Sequence, residues 1–167
     1  MELSFKQIVA NLRATEEKTV LDSVNYLAGN GKPESVQPLI ECYFSTISQP
    51  VKKRILELFC DIKDSRAAAP WVETMMQHTR NDGFRELLSC CWQSSIGFQH
   101  HLASFAEIAL SADLYTSIEA ITVIESNIAK ASHNDIIQMS SKLRNSIPAM
   151  SPEKQRLIGS FLAGYEL

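Results

Sequence analysis

The feature that most constrains this chain is an internal repeat of about 32 residues. Residues 29–62, 63–96 and, more weakly, 97–128 overlay, and each reads as turn, helix, short turn, helix. Pro38 and Pro70 stand 32 apart, each followed by a large apolar residue, Leu39 or Trp71. Val51-Lys52 matches Phe84-Arg85 at a spacing of 33. One apolar ladder runs through Leu27, Phe59, Trp92 and Ile124, and a second, in phase with it, through Val24, Leu56, Leu88 and Ile121. A single hairpin of two helices cannot bury its apolar stripe alone, so units of this kind must stack to form a core.

Within each unit the apolar spacing is helical. Val51, Ile55, Leu58 and Ile62 follow a 4-3-4 pattern, Leu56 and Phe59 widen it, and Lys53, Arg54, Glu57 and Asp61 take the other side. The fragment AITVIESNI is rich in β-formers, but Ser117, Glu119 and Glu125 around it fit a helix better. The spacing predicts helices over 3–14, 16–28, 34–47, 50–63, 66–79, 83–95, 98–111, 114–130, 133–147 and 152–165. These are about ten antiparallel elements joined by short loops. Gly29, Asn30, Gly31, Lys32 and Pro33 form a loop, with the proline at the next helix start. Asp64, Asp82, Asp113 and Ser151 are expected as N-caps. Pro38 and Pro70 fall about a turn inside their helices, which predicts a kink shared by two repeats. The ends of a stacked array need covering. Leu3, Phe5, Ile8, Val9 and Leu12 in residues 1–15, and Leu157, Ile158, Phe161 and Leu162 in residues 148–167, suit capping helices.

Composition narrows the class. With 45% apolar and 21% charged residues and a net charge of −3, the chain of 167 residues is a folded protein rather than a disordered one. The same balance argues against a general polyanion binder, which needs a dense basic surface. The opening MELSFKQIVANLRATEEK lacks a basic segment followed by an apolar one, so it does not read as a signal peptide. No stretch reaches the roughly 18 apolar residues of a membrane span. Cys42, Cys60, Cys90 and Cys91 form no CxxC pair, and reduced, mostly buried thiols in a cytoplasmic protein are expected.

The stretch KDSRAAAPWVETMMQHTRNDGFRELLSCCW resembles a HEAT repeat, with Asp64, Arg66, Pro70, Trp71, Phe84 and Arg85 at that family's marked places. Pro38, Leu39, Val51 and Lys52 match in the preceding unit. The resemblance covers residues 29–96 well and 97–147 poorly, since the latter lack the proline and carry Ser117-Ile118 for the Val-Arg pair. It implies an all-α, right-handed superhelix (an α-solenoid) of about four hairpin repeats in one domain over 1–167, with repeats at 16–147. In such arrays the second helix of each pair usually lines a concave, partner-binding face. Carried over, this gives outward ladders of Asp22, Arg54, Leu87 and Glu119; Asn25, Glu57, Cys90 and Thr122; and Gly29, Asp61, Ser94 and Ser126.

Few residue sets suggest chemistry. Residues 86–129 contain no Lys or Arg but do contain Glu86, Glu107, Asp113, Glu119 and Glu125. Such an acidic stretch suits a protein partner with a basic segment; it also suits an ordinary solvated face. Glu41 and Glu73 fall at equivalent places on first helices, with Glu107 near the third. Stacked helices stand about 10 Å apart, too far to share a ligand. His100 and His101 diverge around a helix, His78 and His133 lie at helix ends, and no HExxH or GxSxG motif occurs. Trp71 and Trp92 sit on the apolar stripes and read as core. The basic cluster Lys52-Lys53-Arg54 could serve a nucleic-acid contact, but Glu57, Asp61 and Asp64 follow at once and neutralise it, and ion pairing on a helix face explains it as well.

No catalytic, cofactor-binding or metal-ligating set emerges, and no nucleic-acid or membrane partner is expected. The reading is a non-enzymatic protein–protein scaffold. The alternatives are a HEAT-like lyase or chaperone-type protein acting on a cofactor-bearing partner, or a HEAT-like DNA glycosylase, which would need a basic concave strip. The apolar girth of the last helix (Leu157, Ile158, Phe161, Leu162, Tyr165, Leu167) also leaves homodimerisation through it open.

Overall fold

A computed structural model describes residues 4–30 and 32–167. Leu3 of the expected first helix and Gly31 of the expected loop lie outside the described residues. Among those described, every regular element is helical: α1 Phe5–Asn11, α2 Glu17–Asn30, α3 Val36–Ser45, α4 Gln49–Asp61, α5 Ala68–Met75, α6 Phe84–Gln93, α7 Leu102–Ser111, α8 Leu114–Asn127, α9 His133–Ser146 and α10 Pro152–Gly164. None of them is long and apolar enough to cross a membrane. The chain divides into two compact units, Met1–Ile96 and Gly97–Leu167.

In the first unit helices pack on their next-but-one neighbours. α2 lies against α4 and α4 against α6, while α3 lies against α5, so α2, α4 and α6 form one row and α3 and α5 another. Trp71 meets Phe59 edge to face at 4.5 Å in the core, where Leu39, Ile40, Ile55 and Met75 are also fully buried. Polar ties flank the row of α2, α4 and α6: Ser48 Oγ donates to Glu17 Oε2 at 2.6 Å, and Ser95 Oγ donates to the Ile62 carbonyl. In the second unit α7 packs on both α8 and α9, and α10 packs on α8. Asn127 is buried there. Its Oδ1 accepts the Phe98 amide at 2.7 Å and its Nδ2 donates to the Val123 carbonyl at 2.8 Å, locking the start of that unit to the end of α8.

The helix starts follow local chemistry. Ser4 and Gln7 form a reciprocal capping box on α1, and Ser48, Asp113, Ser132 and Ser151 accept amides at the starts of α4, α8, α9 and α10. Asp64 caps a 3₁₀ turn, Ser65–Ala67, that leads into α5, just as Pro33–Ser35 leads into α3. Pro38 and Pro70 are therefore each the third residue of an α segment. The expected interior kink is instead a change of winding at the helix start, where the missing N–H costs little.

Several expectations are corrected. Asp82 does not cap α6; Gly83 does, with φ +86° and no side-chain cap. Gly29 and Asn30 belong to α2, so the loop after it is shorter than expected. Trp92 is 42% exposed while its ladder mates Leu27, Phe59 and Ile124 are buried. Leu56 is half-buried, unlike Val24, Leu88 and Ile121. Leu87 and Cys90 are buried, not outward. One rotation accounts for the three α6 residues. Its buried stripe runs through Phe84, Leu87, Leu88, Cys90 and Cys91, whereas α4 buries Val51, Ile55, Leu58 and Phe59. The positions matching Arg54 and Glu57 turn inward, and the one matching Phe59 turns out.

Candidate functional site

The row of α2, α4 and α6 in the first unit carries most of the expected docking positions. From α4, Arg54 reaches across to α2, its Nε donating to Asn25 Oδ1 at 2.6 Å, and its Nη1 stands 3.4 Å from Glu57 Oε2 one turn on. Asn25, Arg54 and Glu57 thus form one connected polar row. Asp22 precedes it on α2 and Asp61 ends α4, both exposed. Ser94 lies just past α6, its hydroxyl bonded back to the Cys91 carbonyl.

Beside this row a groove of about 620 Å³ opens between α4 and the start of α6. Its walls carry four carboxylates, Glu57, Asp61, Asp82 and Glu86, against two ammonium groups, Lys52 and Lys53. Its floor holds Tyr43, Leu56, Cys60 and Gly83. Tyr43 is buried; its hydroxyl donates to the Gly83 carbonyl at 2.8 Å, and Lys52 Nζ sits 5.8 Å from its ring centroid. Burial, with Glu86 and Cys90 nearby, pushes the phenol up to about 12, so it remains a neutral donor. A smaller hollow of about 450 Å³ lies at the other end of the row, where Lys32, Arg54 and Lys63 face Asp61 and Asp64 over a floor of Leu27, Leu58 and Phe59. Asp61 borders both.

The titratable groups with shifted acidities serve the fold. Asp64 is held below the usual carboxylate range by its bond with the Arg66 guanidinium, and Asp113 by the Thr116 amide it caps. Burial pushes the Cys42 thiol up to about 11 and raises Cys90 and Cys91 further, the reverse of what activates a thiol nucleophile. Compared with protein-family models, characterised proteins and solved structures, the chain matches none.

The remaining ladder positions, Glu119, Thr122 and Ser126, lie on α8 in the second unit. The hydroxyls of Thr122 and Ser126 donate to carbonyls of their own helix, Ile118 and Val123. Thr122 borders a shallow hollow of about 220 Å³ with Ile118, Glu125, Leu157 and Phe161. The acidic stretch is partly balanced by cations from later helices. Lys142 pairs with Glu107 at 3.2 Å, and Lys154 Nζ donates to the Leu110 and Ala112 carbonyls beside Asp113. Burial pushes the Lys154 ammonium below its ordinary pKa, with the Asp113 carboxylate opposing. In α10, Ile158, Phe161 and Leu162 turn inward, Leu157 and Leu167 are half-buried and Tyr165 is exposed, which reduces the apolar surface left for a second copy.

Sequence reasoning missed Tyr43 and Gly83, whose contact spans 40 positions. The Asn81-Asp82-Gly83 run carried a turn signal for the glycine, but nothing local pointed to the tyrosine.

Proposed function

We propose that the protein is a non-enzymatic HEAT-like helical-repeat scaffold whose second-helix face takes a basic segment of a protein partner. The observation that carries this is the groove between α4 and α6, with four wall carboxylates against two ammonium groups and an apolar floor at Leu56 and Tyr43. Potential complementarity of that kind steers a cationic segment and fixes its register. The next-but-one packing of α2, α4 and α6 and of α3 and α5 supports the repeat reading. The acidic bias of the groove favours this partner over DNA, which a HEAT-like glycosylase would need a basic strip to hold.

The test is affinity capture from lysate with wild-type protein and with D61K/D82K, two exposed groove carboxylates that cap no helix. A stoichiometric protein partner is expected on the wild type. Its affinity should fall at least tenfold in the variant and also with added salt. A partner held equally by both, or co-purified nucleic acid or pigment, overturns the reading.

A further inference from the structure

We propose that Cys60 and Cys90 are a built-in oxidation site, closing into a reversible disulfide that fastens α4 to α6 when the protein meets a peroxide. The two sulfurs lie 2.9 Å apart on the packed helices α4 and α6. Their environments differ in a useful way. Cys60 is half-exposed on the groove floor, whereas Cys42, Cys90 and Cys91 are all buried. Cys90 sits under α4, its thiol 3.5 Å from the Leu56 carbonyl and equally far from that of Glu86 on its own helix. A small oxidant therefore reaches Cys60 first, and Cys90 waits within bonding range.

The chemistry balances with one peroxide per pair. The Cys60 thiolate attacks a peroxide oxygen, the O–O bond breaks, and Cys60 becomes a sulfenic acid while the departing hydroxide takes up a proton as water. Cys90 sulfur then attacks Cys60 sulfur. The S–O bond breaks, and the hydroxyl leaves as a second water with the Cys90 proton. The two thiols lose two electrons and the peroxide gains two. Burial holds Cys90 protonated, so it does not compete for the oxidant. Reduction takes two equivalents of an external thiol: its thiolate attacks the half-exposed Cys60 sulfur and releases Cys90, which takes up a proton, and a second thiolate then frees Cys60 and leaves as the external disulfide. The buried Cys90 is a poor leaving group, so the bridge opens slowly. The covalent tie closes a loop of about thirty residues that holds all of α5, and a loop of that size raises Tm by roughly 5–10 °C.

The experiment treats full-length protein with a few equivalents of hydrogen peroxide, alkylates the remaining thiols and maps the peptides by mass. The expected result is a Cys60–Cys90 cross-linked peptide lighter by two hydrogens, with Cys42 and Cys91 still alkylated, a raised Tm and full reversal by dithiothreitol. C60S should form no cross-link and show no rise in Tm; its altered residue is half-exposed, so the fold is retained. C90S should leave a Cys60 sulfenic acid that dimedone traps. Three outcomes overturn the proposal: Cys60 carried on to sulfinic or sulfonic acid with Cys90 still alkylated, a Cys60–Cys60 link between two molecules, or a link from Cys60 to Cys91 or Cys42.

Discussion

Gly83→Ala is the sharpest test of how the groove floor is built. Gly83 sits at φ +86°, where an L-residue costs about 1–2 kcal/mol. An added Cβ would stand 2.6 Å from the Tyr43 hydroxyl oxygen and 3.1 Å from its Cζ. Tyr43 is buried, so its ring has little room to retreat, and moving it loses the bond to the Gly83 carbonyl, worth about 1–1.5 kcal/mol. The expected loss is about 2–4 kcal/mol. Both tryptophans, Trp71 and Trp92, lie in the first unit, so tryptophan fluorescence in a urea titration reports on that unit. Y43F removes the oxygen that the Cβ strikes and should cost about 1 kcal/mol alone. The clash is counted only once, so G83A/Y43F should cost at least ~1 kcal/mol less than the two single changes together. Additivity within about 0.5 kcal/mol, or a G83A loss below about 1 kcal/mol, would refute the proposed contact.

Other predictions follow from single side chains. Asn127→Ala leaves the buried Phe98 amide without its acceptor and should cost about 2–3 kcal/mol by far-UV circular dichroism, with faster hydrogen exchange at Phe98. At alkaline pH, Tyr43 and Cys42 ionise less readily in the folded chain, at about 12 and 11, than at their ordinary values of 10 and 9. The folded state thus holds more protons there. This contribution is fully present below pH 9 and is lost as pH rises through 9 to 12. Urea midpoints measured across that range should fall, and Y43F should flatten the part above pH 10; a flat wild-type profile would count against the buried neutral phenol.

How far the sequence could be read depended on how local each cause was. The α4 stripe of Val51, Ile55 and Leu58 was legible because polar residues bound it on both sides, leaving one way to turn the helix. In α6, Leu87, Leu88, Cys90, Cys91 and Trp92 are apolar in close succession, so periodicity alone left two orientations open. The packing of α6 on α4 chose the one that buries Cys90 and exposes Trp92. The docking row shows the same split. Arg54 and Glu57 were legible as an exposed ion pair, while Leu87 and Cys90, assigned outward by the same spacing, are not on the surface. Ser48 and Ser132 were overlooked as caps, although each has its acceptor bond only three residues away.

The sequence by itself determined that this chain is helical and, to within a few residues, where its helices lie, because apolar spacing, capping side chains and prolines act over a few neighbouring residues. Only the tertiary structure decided which side of α6 faces inward, that Tyr43 needs a glycine forty residues on, and that Cys60 meets Cys90. Those facts depend on how one helix is rotated against another. That rotation is set by the summed packing of many side chains, and no short stretch of the chain records it.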